Sequence, residues 1–301
     1  MLVPPQVHVL VRDWLSGNNV VLESRDGHVL VDSGYSTHAP LTLKLVERVL
    51  HGAPLARLVN THGHSDHVGG NAAVKGAYAC SIAFPAAEAD LVDRWDTTAL
   101  LYDYADQDAP RFAVDERLHA GTTHVWGDLE WRLLAAPGHD MGALVFYNPE
   151  HRILISGDAL WQNGYGFVMP QCMEPGALAA TRATLEMIAA LDVRVVIPGH
   201  GDPFTEVNAA LERAFKRTDA YAADDGRMAR YALKALLAFT LLARRSISIA
   251  GLPGYVERIG VYRDINAAVL RMTPDALARM LADELVRAGA ARVSDGALLA
   301  S

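Results

Sequence analysis

Apolar and polar positions along the first two hundred residues alternate in short runs, most of them closed by a turn-forming residue. QVHVLVRDW, NNVVLES, HVLVDSG, ARLVN, CSIAF, LEWRLLAA, ALVFYN, RILISG and VRVVIPG read as strands, most ended by Gly, Asn, Asp or Pro. Two intervening stretches have helical spacing instead. In LTLKLVERVLHG the apolar residues fall at 41, 43, 45, 46, 49 and 50, and PGALAATRATLEMIAALD continues for about four turns. Strands mixed with helices predict an α/β arrangement in which sheets are flanked by helices.

The pattern changes near residue 204. LERAFKRTDAYAADDGRMARYALKALLAFTLLARR and TPDALARMLADELVRAGA are rich in Ala, Leu, Arg and Glu and predict a mainly helical module. Thr273 followed by Pro274 and Asp275 is a helix start, with Thr as the cap and Pro in the first turn. ARVSDGALLAS then predicts a small hairpin over SDG, so that the end of the chain faintly resembles a winged helix. Charge follows the same division: residues 1–203 carry 13 Lys and Arg against 24 Asp and Glu, whereas residues 204–301 carry 14 against 11. Two units are therefore expected, 1–203 and 204–301.

With 51% hydrophobic and 21% charged residues, the 301-residue chain has an ordinary globular composition. The opening MLVPPQVHVLVRDW lacks the basic start, long apolar run and small-residue site of a secretory leader, and no apolar run is long enough to span a bilayer. The expectation is a cytoplasmic protein without a membrane partner. Cys80 and Cys172, the only cysteines, lack metal-ligand spacing and are expected as isolated buried thiols. The acidic front portion argues against nucleic acid as the main partner, since phosphate binding needs a basic surface.

Chemistry concentrates in THGHSDHVGG, which places His62, His64, Asp66 and His67 in one short stretch. In an extended or turning segment His62 and His64 point the same way, while Asp66 and His67 follow the turn and face a neighbouring point. Imidazoles and carboxylates are the usual ligands of a divalent transition metal, with about three protein ligands per catalytic zinc. Two ions need further ligands, and other strand ends offer them: His139 in APGHD, Asp158 in SGDAL and His200 in PGHGD. Loops at one sheet edge gather residues remote in sequence, which makes such a rim the expected site.

The string H-x-H-x-D-H at 62–67, PGH at 137–139, GD at 157–158 and PGHG at 198–201, preceded by Asp32 in VDSG, resembles the metallo-β-lactamase superfamily over about residues 6–203. The resemblance implies an αββα sandwich with the metals at one edge. It implies that His62, His64 and His139 hold one metal, that Asp66, His67 and His200 hold the second, and that Asp158 bridges both. Asp32 then supports a ligand imidazole from behind. Asp158 in GD is similar to the glyoxalase II and lactonase types, where antibiotic-hydrolysing relatives commonly carry cysteine.

The implied activity is hydrolysis of an ester, thioester or lactone bond in a small metabolite. A water shared by two divalent cations, zinc with iron or manganese as alternatives, loses its proton near neutral pH and attacks the carbonyl, and Asp66 orients that water or carries its proton. Two rivals stand beside this: an iron-dependent persulfide dioxygenase, and a nucleic-acid-processing or binding protein with the tail as docking module. The oligomeric state is open, a homodimer being one option.

Other features have plainer expectations. Gly69 and Gly70 serve close backbone packing, and Asp140 stands where relatives carry Thr or Ser, as an acceptor behind the site. Trp161, Tyr165, Phe167 and Met169 either line a pocket or pack beneath the loop. Trp95 to Phe112 reads as a lid or as a surface excursion. Arg227, Arg230, Arg244 and Arg245 read as solvated helix faces, and no glutathione-holding basic motif is matched.

Overall fold

Strands that are apolar on both faces need cover on both sides, and the chain supplies it in four layers. The computed structural model describes residues 2–301. The first sheet holds six strands in chain order: β1 (Val7–Leu10), β2 (Asn19–Leu22), β3 (His28–Val31), β4 (Leu55–Val59), β5 (Ser81–Pro85) and β6 (Glu116–Leu118). It is antiparallel from β1 to β3 and parallel from β3 to β6. The second sheet holds β7 (Thr123–Trp126), β8 (Leu129–Ala135), β9 (Leu144–Asn148), β10 (Ile153–Gly157) and β11 (Val195–Pro198), again with neighbours in chain order. Only its β10–β11 pair is parallel.

The period of two sorts each strand between layers. Val20 and Leu22 enter the core between the sheets with Trp131, Phe146, Ile153 and Ile155, while Val21 turns the other way to join Leu30 and Leu58. That outer face is covered by α1 (Ala39–Leu50), which contributes Val46 and Leu50. A short α2 (Ser65–Val68) leads into α3 (Asn71–Tyr78), and α4 (Ala86–Arg94) completes the layer. On the second sheet Leu154 and Val196 face outward against Leu185 and Ile188 of α5 (Ala177–Ala189) and against Ala210 and Leu211 of α6 (Val207–Ala223). The result is the αββα sandwich that the motifs implied.

A further core lies beyond it. α7 (Asp225–Arg244), β12 (Ser246–Ser248), α8 (Leu252–Arg258), α9 (Gly260–Ile265), α10 (Pro274–Arg287), β13 (Ala291–Ser294) and β14 (Ala297–Ala300) bury Leu237, Val256, Tyr262, Leu281 and Leu298 together. The Thr273 hydroxyl caps α10 by accepting from the amide of Ala276 at 3.3 Å. Asp295 and Gly296 both take positive φ, the turn that suits a two-residue hairpin, and β13 pairs β14 as the SDG pattern predicts. β12 adds a third strand that the pattern did not announce.

Two expectations need correction. Cys80 is buried, but Cys172 is exposed, because PQCMEPG forms a turn over the surface with no strand or helix to bury it. The strands β6 and β7 went unforeseen, since three or four residues carry too little alternation to be read. Among the described residues no helix is long and apolar enough to cross a membrane.

Candidate metal centre

Four strand ends deliver the seven donors. The loop leaving β4 carries His62 and His64. His64 is still extended, at φ −68° and ψ 148°, and acts as the entry residue of α2, whose single turn redirects Asp66 and His67. His139 lies between β8 and β9, Asp158 directly after β10, and His200 shortly after β11. All seven come together in two groups, His62 with His64 and His139, and Asp66 with His67, Asp158 and His200; within each group the donor atoms lie within 4.8 Å of one another. Asp158 lies between the groups, with Oδ2 3.4 Å from Nε2 of His139 and Oδ1 3.4 Å from Nε2 of His67. Nε2 of His200 lies 2.9 Å from Oδ2 of Asp66.

Three of the five rings are held from behind. Asp32 takes φ +56° at the end of β3 and accepts from Nδ1 of His67 at 2.7 Å, from the Thr61 amide at 2.9 Å and from the Thr61 hydroxyl at 2.8 Å. Nδ1 of His62 lies 3.0 Å from the Thr61 hydroxyl, and Nδ1 of His139 donates to the Phe167 carbonyl at 2.5 Å. The opposite nitrogens of His62 and His67, both Nε2, are buried without a hydrogen-bond partner, as is Nδ1 of His200. Leaving such atoms unpaired is costly, and several in one cluster point to a missing partner. Five imidazoles and two carboxylates are the nitrogen and oxygen donors that divalent transition cations take, so the residues fit two such ions.

Burial and the neighbouring charges divide the donors of the metal-free cluster. Burial pushes His62 well below the ordinary imidazole range, helped by His67 and His64, and holds His139 down at about 4, so both rings are neutral ligands near pH 7. Burial lowers His64 as well. Burial would likewise lower His67, but the carboxylates of Asp66, Asp158 and Asp32 outweigh it and raise that ring well above its usual value. Asp158 behaves conversely: burial raises it, and His200, His67 and His139 together hold it well below the carboxylate range.

Close packing explains the glycines. A Cβ on Gly199 would stand 2.1 Å from Oδ1 of Asp158, and one on Gly69 would stand 2.3 Å from the Ser36 amide, which is the backbone approach expected there. Asp140 is buried and accepts from the Gly142 amide at 2.7 Å, with Oδ2 3.9 Å from Nε2 of His64.

Trp161 and Phe167 line a cavity of about 510 Å³ that opens on the cluster, and Met169 lines a neighbouring one of about 400 Å³. Tyr165 lines neither cavity and packs beneath the loop instead: it is buried, its hydroxyl pairs with Thr218 at 2.9 Å and its ring lies under Arg217. The stretch from Trp95 to Phe112 is a wall rather than a free lid or excursion. Tyr102 donates to the Gly63 carbonyl at 2.8 Å, and Asp106 accepts from Tyr255 at 2.8 Å and from Arg244 at 2.6 Å. Two contributors escaped the sequence reading. Trp14 stacks on His200 with centroids 5.2 Å apart, and Glu88 of α4 lies against Asp140. Neither sits in a motif, so no local signal marks them.

The family profile described as "Metallo-beta-lactamase superfamily" matches residues 12–200. The hydroxyacylglutathione hydrolase of Hyphomonas neptunium is 31% identical over 120 residues, 40% of this chain and 40% of that protein. The protein of the same name from Brucella anthropi is 27% identical over 158 residues, 52% and 51% of the two chains. The match therefore spans about half or less of these curated relatives. Among solved structures, a beta-lactamase domain protein from Burkholderia ambifaria has a TM-score of 0.61 at 22% identity, covering 99% of this chain and 93% of that one. A metallo-beta-lactamase family protein from Thermus thermophilus reaches 0.59 at 18% identity, covering 99% of both. These structural likenesses establish the fold, C-terminal helices included. With the profile covering more than half of the sequence and spanning every motif residue, this chain belongs to the metallo-beta-lactamase superfamily.

Proposed function

We propose that this chain is a hydrolase that uses two divalent cations, zinc foremost, to cleave an ester, thioester or lactone bond of a small metabolite. One observation carries the reading: seven donors from four strand ends form two adjoining sets around Asp158, with Nε2 of His62 and Nε2 of His67 buried and unpartnered. In this reading His62, His64 and His139 hold one cation, Asp66, His67 and His200 hold the other, and Asp158 reaches both. When bound, the pair supplies Lewis acidity and a water that is acidic near neutral pH. The name of the curated relatives, hydroxyacylglutathione hydrolase, supports thioester hydrolysis as the reaction class.

The remaining roles fall to the chain itself. Asp66, on the cavity floor beside His200, accepts the proton released as water adds to the carbonyl and returns it to the departing oxygen or sulfur. Asp32 fixes the tautomer and direction of His67. Trp14, Trp161 and Phe167 screen the reacting carbonyl from bulk water. The catalytic unit is 1–203 and the helical unit 204–301; α6 packs on the sandwich, and α7 walls the cavity.

Metal analysis of protein made without supplementation, run beside a panel of thioesters, lactones and aryl esters, tests this reading. His64→Ala and Asp158→Ala should cut metal content and turnover by more than the roughly 10- to 100-fold that loss of an outer support costs. Full turnover in a metal-free variant, or one iron per chain with oxygen uptake, overturns it.

A further inference from the structure

The cavity above the seven donors is walled by hydrocarbon. Leu101 comes from the stretch after α4, Phe167 from the loop after β10, and Ala235, Leu236, Phe239 and Leu242 from successive turns of α7. Among the described lining residues there is no Lys or Arg, and the only acidic side chains are Asp66 and Asp158 of the donor cluster itself. A charged group entering this space would surrender its hydration with no opposite side-chain charge to receive it, whereas an apolar chain gains by leaving water. Two arginines of the tail are engaged elsewhere: Arg244 with Asp106, and Arg217 with the carbonyls of Asn163 and Tyr165. A ligand with ionised ends therefore finds no partner here, while roughly 500 Å³ of apolar space opens directly from the reacting atoms.

We propose that the substrate's acyl side is an uncharged hydrocarbon chain, seated between α7 and Phe167 with its carbonyl at the donor cluster, and that Ala235 on α7 sets the length admitted. This rests on the hydrolase reading and narrows it. Water adds to the acyl carbon, the carbon–oxygen or carbon–sulfur bond breaks, and the products are a fatty carboxylic acid and an alcohol or thiol that keeps the second proton. Ala235 lines the cavity with a small side chain, so a larger residue at this position would take up part of its volume.

Two measurements test it. Zinc-loaded protein is assayed with p-nitrophenyl esters from acetyl to dodecanoyl and with esters of matching length that end in a carboxylate. kcat/KM is expected to rise about two- to four-fold per methylene until the cavity is filled, and to fall at least about ten-fold when the chain ends in a charge. Ala235→Leu should move the optimum to shorter chains. Separately, metal-free protein is titrated with alkanols from butanol to dodecanol while tryptophan fluorescence is read; affinity should increase with length and weaken in Ala235→Trp. Turnover that is flat with chain length, or that favours the carboxylate-ended esters, overturns this inference and leaves the hydrolase reading standing. Absence of length-dependent alkanol binding also overturns it, without reference to activity. Failure of every ester, thioester and lactone with metal bound defeats the hydrolase reading and takes this inference with it.

Discussion

Oδ2 of Asp32 accepts a 2.7 Å hydrogen bond from Nδ1 of His67, and both side chains are buried. The bond forms because the chain leaves β3 with Asp32 in the left-handed region, which swings its carboxylate under the loop that follows β4. It leaves Nε2 of His67 as the only nitrogen free to face Asp66 and Asp158. Asp32→Ala is expected to weaken metal binding roughly 10- to 100-fold with the sandwich intact. Equilibrium dialysis against zinc, beside a circular dichroism spectrum, checks this; unchanged affinity in a folded variant would remove Asp32 from the site.

Gly199 is a steric requirement of the same site. Alanine there would place its Cβ 2.1 Å from Oδ1 of Asp158, with the His67 ring at 2.9 Å and the Gly157 carbonyl carbon at 3.0 Å limiting retreat. Gly199→Ala should displace the carboxylate that joins the two groups and lower metal occupancy below two per chain. Elemental analysis of the purified variant reads this directly, and full occupancy would show that the loop yields.

The carboxyl of Glu88 titrates abnormally. Burial raises it well above the usual range, and the neighbouring Asp140 adds to the rise. An unfolded glutamate loses its proton at the ordinary value, so this group's contribution to stability is complete below that value and is lost as pH rises through the elevated folded one. Glu88→Gln keeps a donor toward Asp140 and cannot ionise. Its melting temperature should exceed that of the parent at about pH 8, with the gap closing toward about pH 4. Parallel melting curves in metal-free buffer decide the matter; a gap independent of pH would assign the effect to packing.

Asp106 ties the cavity wall to the helices beyond the sandwich through Tyr255 and Arg244. Because Arg244 is half exposed, the bond from the buried Tyr255 carries most of the effect, and Asp106→Ala should cost about 1–3 kcal/mol. Cleavage between residues 95 and 112 should accelerate in limited proteolysis, because that stretch consists largely of turns whose backbone bonds are local and tie it to no sheet or long helix. An unaltered digestion pattern would mean that Tyr102 and its bond to Gly63 suffice.

Metal itself should stabilise the fold. A ligand that binds only the native state at about 100 times its Kd adds about 2.7 kcal/mol, and so a rise of several degrees in melting temperature is expected on adding zinc to chelator-treated protein. His62→Ala should abolish most of that rise, since its buried Nε2 faces the cluster and has no other partner. An equal rise in the variant would place the zinc elsewhere.

The sequence was most legible where function and local geometry coincide. His62, His64, Asp66 and His67 are close along the chain, and their motif requires the extended-then-helical turn that α2 provides. The strand runs were readable because a sandwich buries both faces of most of its strands, as the wholly buried β9, β10 and β11 illustrate. The hairpin after α10 was readable because Asp295 and Gly296 permit positive φ. Tyr165 was ambiguous for the opposite reason: its neighbours Phe167 and Trp161 face the cavity, and only the approach of α6, bringing Thr218 and Arg217, decides which way it turns.

By itself the sequence determined the seven candidate donors, the strand ends that bring them together and the helical character of the tail, because these depend on residue type and short-range periodicity. Only the tertiary structure decided that Trp14 stacks on His200, that Glu88 lies beside Asp140, and that α7 closes an apolar cavity over the donors. Those relationships join segments up to about two hundred residues apart, and each is set by how layers pack rather than by any preference of the local chain.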